Sequence, residues 1–151
     1  MKILIVVATT VAGLLAAIPA VAQFQKPEDA VKYRKAAFTV MGTHFSRLGA
    51  MSQGRVPFDG TVAAANAEIV NNMAKLPFAG FVDGTAGTEK GTPNGKVWTE
   101  RAKFDAAALK MQEEVAKLAV AARTNNLDAL KTAFGSTAST CKSCHDDYRN
   151  P

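Results

Sequence analysis

No stretch of this chain alternates apolar and polar residues at period two, no internal repeat stands out, and no strand-helix-strand pattern can be traced. The first absence argues against a sheet-built fold, the second against a repeat array, and the third against a thioredoxin-like redox site. There is no Arg-rich run and no interleaving of aromatic with basic residues, so the basic excess reads as a solvated surface rather than a nucleic-acid interface. That surface is still compatible with an acidic redox partner. No nucleophile-base pair or paired carboxylates stand beside the one chemically distinctive motif, and a non-enzymatic role is expected. Cysteine is scarce as well: the chain has two among 151 residues, with two histidines and one tryptophan.

What is present concentrates at the C-terminal end. Both cysteines and one histidine form Cys141-Lys142-Ser143-Cys144-His145. C-x-x-C-H is the pattern of covalent haem attachment: two thiols add to two vinyl groups as thioethers, and the adjacent imidazole ligates the iron. On a helix, positions i, i+3 and i+4 share a face, so one turn can carry all three groups. The competing readings are a redox or structural disulfide, for which C-x-x-C alone suffices, and structural zinc. Zinc needs four Cys or His ligands, and only His44 lies outside the motif.

The opposite end fits that chemistry. Met1 to Ala22 has one Lys, an apolar run from Ile3 to Ile18, and small residues at Ala20 and Ala22, the three parts of a secretory signal. The apolar run is shorter than the roughly 20 residues of a spanning helix, which argues against an uncleaved anchor and for no membrane span after cleavage. Residues 1–22 are therefore expected to be a signal peptide and residues 23–151 a single domain in a bacterial periplasm, where c-type haems are attached after export. Loss of Lys2 leaves a mild charge of about +4.

Within that domain the periodicity is helical. Lys26-Pro27-Glu28-Asp29 opens a helix expected to reach Ala50, with Val31, Arg34, Phe38, Met41, Phe45 and Leu48 as its inner stripe and Arg34 at the edge. Asp59 caps a second helix reaching Leu76, with Val62, Ala65, Ile69, Met73 and Leu76 inside. Residues 77–95 hold Pro77, Pro93 and glycines at 80, 84, 87, 91 and 95, which is incompatible with a helix interior. They form a crossover loop, expected to be pinned by Phe78, Phe81 and Trp98. A third helix is expected from Lys96 to Arg123, with Trp98, Ala102, Phe104, Leu109, Val115, Leu118 and Ala122 inward, and a fourth from Asp128 to Arg149. The fold class is all-α: an antiparallel four-helix bundle with one long crossover loop between helices two and three.

Three stretches carry a family resemblance: residues 26–34, Leu76-Pro77-Phe78, and Cys141 to Arg149. The chain from residue 23 onward resembles cytochrome c′, the class II c-type cytochromes, over essentially its whole length. The resemblance implies one covalent haem c per chain, a homodimer through the first two helices, His145 as proximal iron ligand, and Cys141 and Cys144 as thioether attachments. It also implies Arg149 beside the proximal histidine, Arg34 and Lys35 near the haem propionates, and a carboxylate of the crossover loop at the haem, with Glu89 as candidate.

Read from the residues alone, Arg149 lies one helical turn beyond His145, and the alternative is a solvated Arg favoured by the helix dipole. Arg34, flanked by apolar positions, is expected to want an anionic partner; the alternative is a surface ion pair with Glu28 or Asp29. The second axial position decides between an electron carrier and a gas binder. His44, about 240° around the helix from Phe38, is expected on a polar outer face. Met41, Met73 and Met111 sit on apolar stripes and read first as core. In low-spin relatives the ligand methionine follows an arginine of the first helix by four residues, and that position from Arg34 is Phe38. The resemblance thus favours a five-coordinate, high-spin-type iron binding nitric oxide or carbon monoxide and able to pass an electron to a redox partner. Phe38 is expected to gate its open side, unless it is mere packing and Met41 ligates instead.

Overall fold

Pro27 begins the first helix, where its missing N–H costs nothing, and Glu28 and Asp29 complement the dipole in the first turn; the resulting α1 spans Pro27–Ser52. The computed structural model describes residues 23–151, so the expected signal segment, residues 1–22, lies outside the described residues. Gly54, at φ 68°, takes the left-handed turn that releases the chain from α1. The carboxylate of Asp59 accepts from the Val62 amide at 3.0 Å and caps α2, Gly60–Met73. Such a cap contributes about 1 kcal/mol.

α2 stops short of the expected Leu76. Pro77 has no N–H to donate back to Met73, so the α-helical bonding ends ahead of it and the chain continues as a 3₁₀ turn, Leu76–Gly80. The expected third helix is likewise divided. α3, Lys96–Thr99, is separated from α4, Arg101–Ala122, by Glu100 at φ −119°, ψ 38°. The break aims the first turn at the crossover: Val97 is fully buried, Trp98 donates from Nε1 to the Val82 carbonyl at 3.1 Å, and Arg101 donates to the Phe81 carbonyl at 3.1 Å. Asn126 then caps α5, Leu127–Tyr148, accepting from the amides of Asp128 and Ala129.

α1 packs on α2, α2 on α4, α4 on α5, and α5 back on α1. Phe45 stacks on Phe134 at 4.5 Å, the Thr137 hydroxyl donates to the Glu114 carbonyl at 3.2 Å, Arg123 pairs with Glu68, and His44 meets Asn66. Arg34 meets Gly80 while His44, further along α1, meets Asn66, and Phe104 meets Tyr148 while Glu114, further along α4, meets Thr137, so neighbouring helices run antiparallel and the four long ones form a bundle with residues 74–95 as the crossover.

The core falls into two clusters. The larger holds Leu48, Val70, Val115, Leu118 and Leu130; the smaller holds Phe81, Val97, Phe104 and Tyr148 at the end where α5 finishes. Full burial of each large side chain stabilises by about 1.5–3 kcal/mol. The crossover is pinned by Phe78, Phe81 and Trp98 as expected.

Several faces differ from the sequence expectation. α2 turns Ala63, Asn66, Ala67 and Val70 inward, while Val62 and Leu76 are exposed and Ala65 faces solvent. α2 is apolar on more than one side, and the small residues win the interior because they let helix backbones approach. On α4, Leu109 is 59% exposed and Ala102 is exposed, while Ala108 and Met111 fill the core. His44 does not sit on a free polar face: its Nδ1 is 2.8 Å from the Asn66 side-chain oxygen on α2.

Candidate functional site

The C-x-x-C-H turn lies in the last two turns of α5, held there by Leu130 and Thr137, which are both fully buried further back on the helix. Cys141 and Cys144 are free thiols, each half-buried. Cys141 packs against the larger core cluster and Cys144 against the smaller, so the two thiols straddle the boundary between them. Phe38 and Phe78 also touch both clusters. Among the long-helix neighbours, α1 and α5 share the thinnest seam. Two thiols and an aromatic pair thus lie along the border of the two clusters, and His145 stands exposed on the same turn of α5 as Cys144.

Electrostatics keep both thiols neutral at ordinary pH. Burial, then the neighbouring Cys141 and Asp147, push the Cys144 thiol up to about 11. Burial also raises Cys141, partly offset by hydrogen bonds. Removal of water behind the His145 ring, then the positive charge of Arg149, hold the imidazole below its ordinary pKa against a smaller opposing pull from Asp146. A neutral imidazole is the form with a free nitrogen lone pair for a metal.

Arg34 is the buried charge of the region, 4% exposed rather than at the stripe's edge. Its Nη1 donates to the Gly80 carbonyl at 2.9 Å and the Thr85 hydroxyl at 2.6 Å, and its Nη2 to the Thr85 carbonyl at 2.6 Å. The guanidinium also lies 4.8 Å over the Phe81 ring. Those contacts tie Arg34 to the crossover, and it pairs with neither Glu28 nor Asp29. Burial lowers its pKa, yet a guanidinium stays charged. Thr85 gave no signal in the sequence; it was recognisable only as one more polar loop residue.

Lys35, the next residue, is exposed. Phe38, one turn on, is half-buried and meets Phe78 edge-on at 6.0 Å and Phe81 at 6.3 Å. Met41 is buried within the larger cluster. Glu89 is exposed in the crossover. Arg149 does not continue α5: it is the C-cap, extended at φ −110°, ψ 147°, and its Nε donates to the Gly91 carbonyl at 2.9 Å. Among the described residues no group of three or more Cys, His, Asp or Glu is gathered as a metal ion would need.

The residues present fit a haem. Paired thiols and an imidazole share one face of α5, and the thiols pack against the two apolar clusters that Phe38 and Phe78 also join. A helical bundle with this turn at the end of its last helix defines the class: a bundle-type c-type cytochrome. The family model for Cytochrome C' matches residues 29–149. The chain is 43% identical to cytochrome c' of Rubrivivax gelatinosus over 127 residues, covering 84% of this chain and 98% of that one. It is 41% identical to cytochrome c' of Alcaligenes xylosoxydans xylosoxydans, with the same shares covered. The crystal structure of the Rubrivivax gelatinosus protein superposes with a TM-score of 0.79, covering 85% of this chain and all of that one. A nitric oxide complex of a mutant cytochrome c prime from Alcaligenes xylosoxidans, 39% identical, also gives 0.79, covering 85% of this chain and 99% of that one. The chain belongs to the cytochrome c′ family.

Proposed function

We propose that this protein is an exported, periplasmic haem protein that binds nitric oxide or carbon monoxide at an open coordination position and can pass an electron to a redox partner. Cys141 and Cys144 would hold one haem c per chain through thioether bonds, and His145 would ligate the iron. The group, when bound, supplies a redox-active iron with a position for a diatomic ligand. The remaining roles belong to the chain. α5 presents the two thiols and the imidazole on one face. Phe38, with Phe78 and Phe81 behind it, forms an apolar wall that excludes water and offers no hydrogen bond. A polar donor favours bound oxygen, so such a wall disfavours it relative to nitric oxide or carbon monoxide. Arg149 would stand beside His145, and Arg34 and the exposed Lys35 would lie toward the propionate edge. Arg34 retains only part of its donor capacity for that, because three bonds go to the crossover. Among the described residues no helix is long and apolar enough to cross a membrane, which is compatible with a protein free of the membrane after export.

The observation that carries this reading is the aromatic Phe38 against the same two clusters as the cysteines, where a ligating methionine would otherwise stand. The relative solved with nitric oxide bound supports it. Mass spectrometry of the mature protein, together with a reduced-state absorption spectrum with and without gas, is the test. One haem mass retained in acid acetone and a high-spin spectrum that changes with carbon monoxide are expected. A low-spin six-coordinate spectrum, lost in Met41→Ala, would replace the gas-binding reading with that of a closed electron carrier.

A further inference from the structure

The last turn of α5 is not finished by its own helix. Asn94 in the crossover donates its backbone amide to the Tyr148 carbonyl at 3.0 Å and its side-chain amide to the Asp147 carbonyl at 3.1 Å. Helix-terminal carbonyls that would otherwise face water are thus capped from a distant segment. Pro93 and Arg149 form an antiparallel bridge. Beyond it Asn150 donates its amide to the Thr92 carbonyl at 2.8 Å and accepts from the Gly91 amide at 2.9 Å. Its side chain donates to the Gly87 carbonyl at 2.7 Å and the Thr92 hydroxyl at 3.0 Å. Gly91 sits at the centre. It has φ +76°, its carbonyl accepts from Arg149 Nε, and a Cβ on it would lie 2.9 Å from Arg149 Nη2. The guanidinium occupies the space a side chain would need.

We propose that Gly91 and Asn150 are positioning residues for Arg149: the crossover clasps the C-terminal tail so that the guanidinium is held over a bare glycine, at a fixed place beside His145. The inference rests on the reading of His145 as the iron ligand. An Arg at the free end of a helix samples many rotamers, and its field at the imidazole would average over them. Here the side chain is bonded through Nε, the following residue is bonded on both sides, and a single added methyl group would displace it. The crossover is itself anchored at its other end by Arg34, so the clasp is a strut between α1 and the end of α5.

Gly84 provides an internal control, since it has φ +75° in the same loop but nothing within 4 Å of its Cβ position. Gly84→Ala and Gly91→Ala therefore carry the same backbone strain and differ in the contact with Arg149. In the holoprotein we expect both to lower the thermal midpoint. Gly91→Ala and Asn150→Ala alone should shift the iron-histidine stretching band of the ferrous protein, in the same direction as Arg149→Ala and with no further shift in the Gly91→Ala/Arg149→Ala double variant. Amide exchange at Asn150 should quicken on the order of tenfold in Gly91→Ala but not in Gly84→Ala. An unmoved band in Gly91→Ala and Asn150→Ala, an equal shift in Gly84→Ala, or failure of both clasp variants to load haem would reduce the clasp to a structural role and overturn the proposal. A wild-type protein lacking the band would sink the reading of His145 instead, while the exchange comparison would still report on the clasp.

Discussion

Arg34 on α1 and Thr85 in the crossover, 51 residues apart, are joined twice: the guanidinium donates to the threonine hydroxyl and to its carbonyl, each at 2.6 Å. The same hydroxyl donates onward to the Val82 carbonyl at 2.7 Å, so one buried arginine organises the entry of an otherwise irregular segment. Removing it leaves the Gly80 and Thr85 carbonyls without this donor. Arg34→Ala should destabilise by about 2–4 kcal/mol, more than Thr85→Val at about 1 kcal/mol, as read from urea unfolding midpoints. Equal, small effects would show that the crossover is held elsewhere.

Gly80 is where the 3₁₀ turn touches α1. A Cβ there would come within 2.6 Å of the Ala30 carbonyl oxygen and 2.8 Å of Arg34 Cβ. Backbone cannot yield cheaply, so Gly80→Ala should cost about 2 kcal/mol or more and weaken the Arg34 to Gly80 bond with it. A melting temperature within a degree of wild type would refute the close approach.

Phe38 combines a structural and a functional role in one ring. Phe38→Ala removes part of an aromatic cluster with Phe78 and Phe81 and should cost about 2–3 kcal/mol, below the value for a fully buried ring. It should also speed carbon monoxide binding, measured by stopped-flow or flash photolysis. An unchanged rate would place the gate at another residue.

The thiols of chain produced without haem carry a pH signature. Cys144, raised to about 11 chiefly by burial, should alkylate far more slowly than a free cysteine at pH 8 and approach full reactivity only above pH 11. In urea the rate should rise to that of a free thiol. A raised thiol pKa favours the folded, protonated form, so the contribution is complete below the unfolded value near 8.5 and is lost progressively as pH rises from there through the folded value of about 11. Rapid alkylation at pH 8 in a chain that is still helical by circular dichroism would contradict the burial.

A homodimer through α1 and α2 rests on the family resemblance, and the structure adds that Val40 and Val62 are 41% and 46% exposed on those helices. Val62→Lys should lower the self-association constant by tenfold or more in sedimentation equilibrium if the pair lies at an isologous face. A wild-type protein that stays monomeric at millimolar concentration would end that reading.

Much of this architecture was legible in the residues. Pro27, Asp59, the glycines of the crossover and the three-four spacing of apolar residues determine where helices begin, break and pair, because capping and periodicity are local effects. The C-x-x-C-H spacing determined which face of the last helix carries the chemistry, since helix pitch alone aligns Cys141, Cys144 and His145. What the chain could not reveal locally is which of two apolar faces wins. α2 buries Ala63, Asn66 and Ala67 in preference to Val62 because closeness to α1 and α4 rewards small side chains, a fact of the partners rather than of α2.

The same division holds at the site. The sequence by itself determined the C-x-x-C-H turn and the absence of methionine at position 38. Only the tertiary structure decided that Arg34 spends its charge on Gly80 and Thr85, that His44 turns to Asn66, and that Arg149 leaves the helix to lie against Gly91. Each of those is a polar group whose partner lies at least 22 residues away, and a hydrogen bond closed across such a distance is set by how the helices pack.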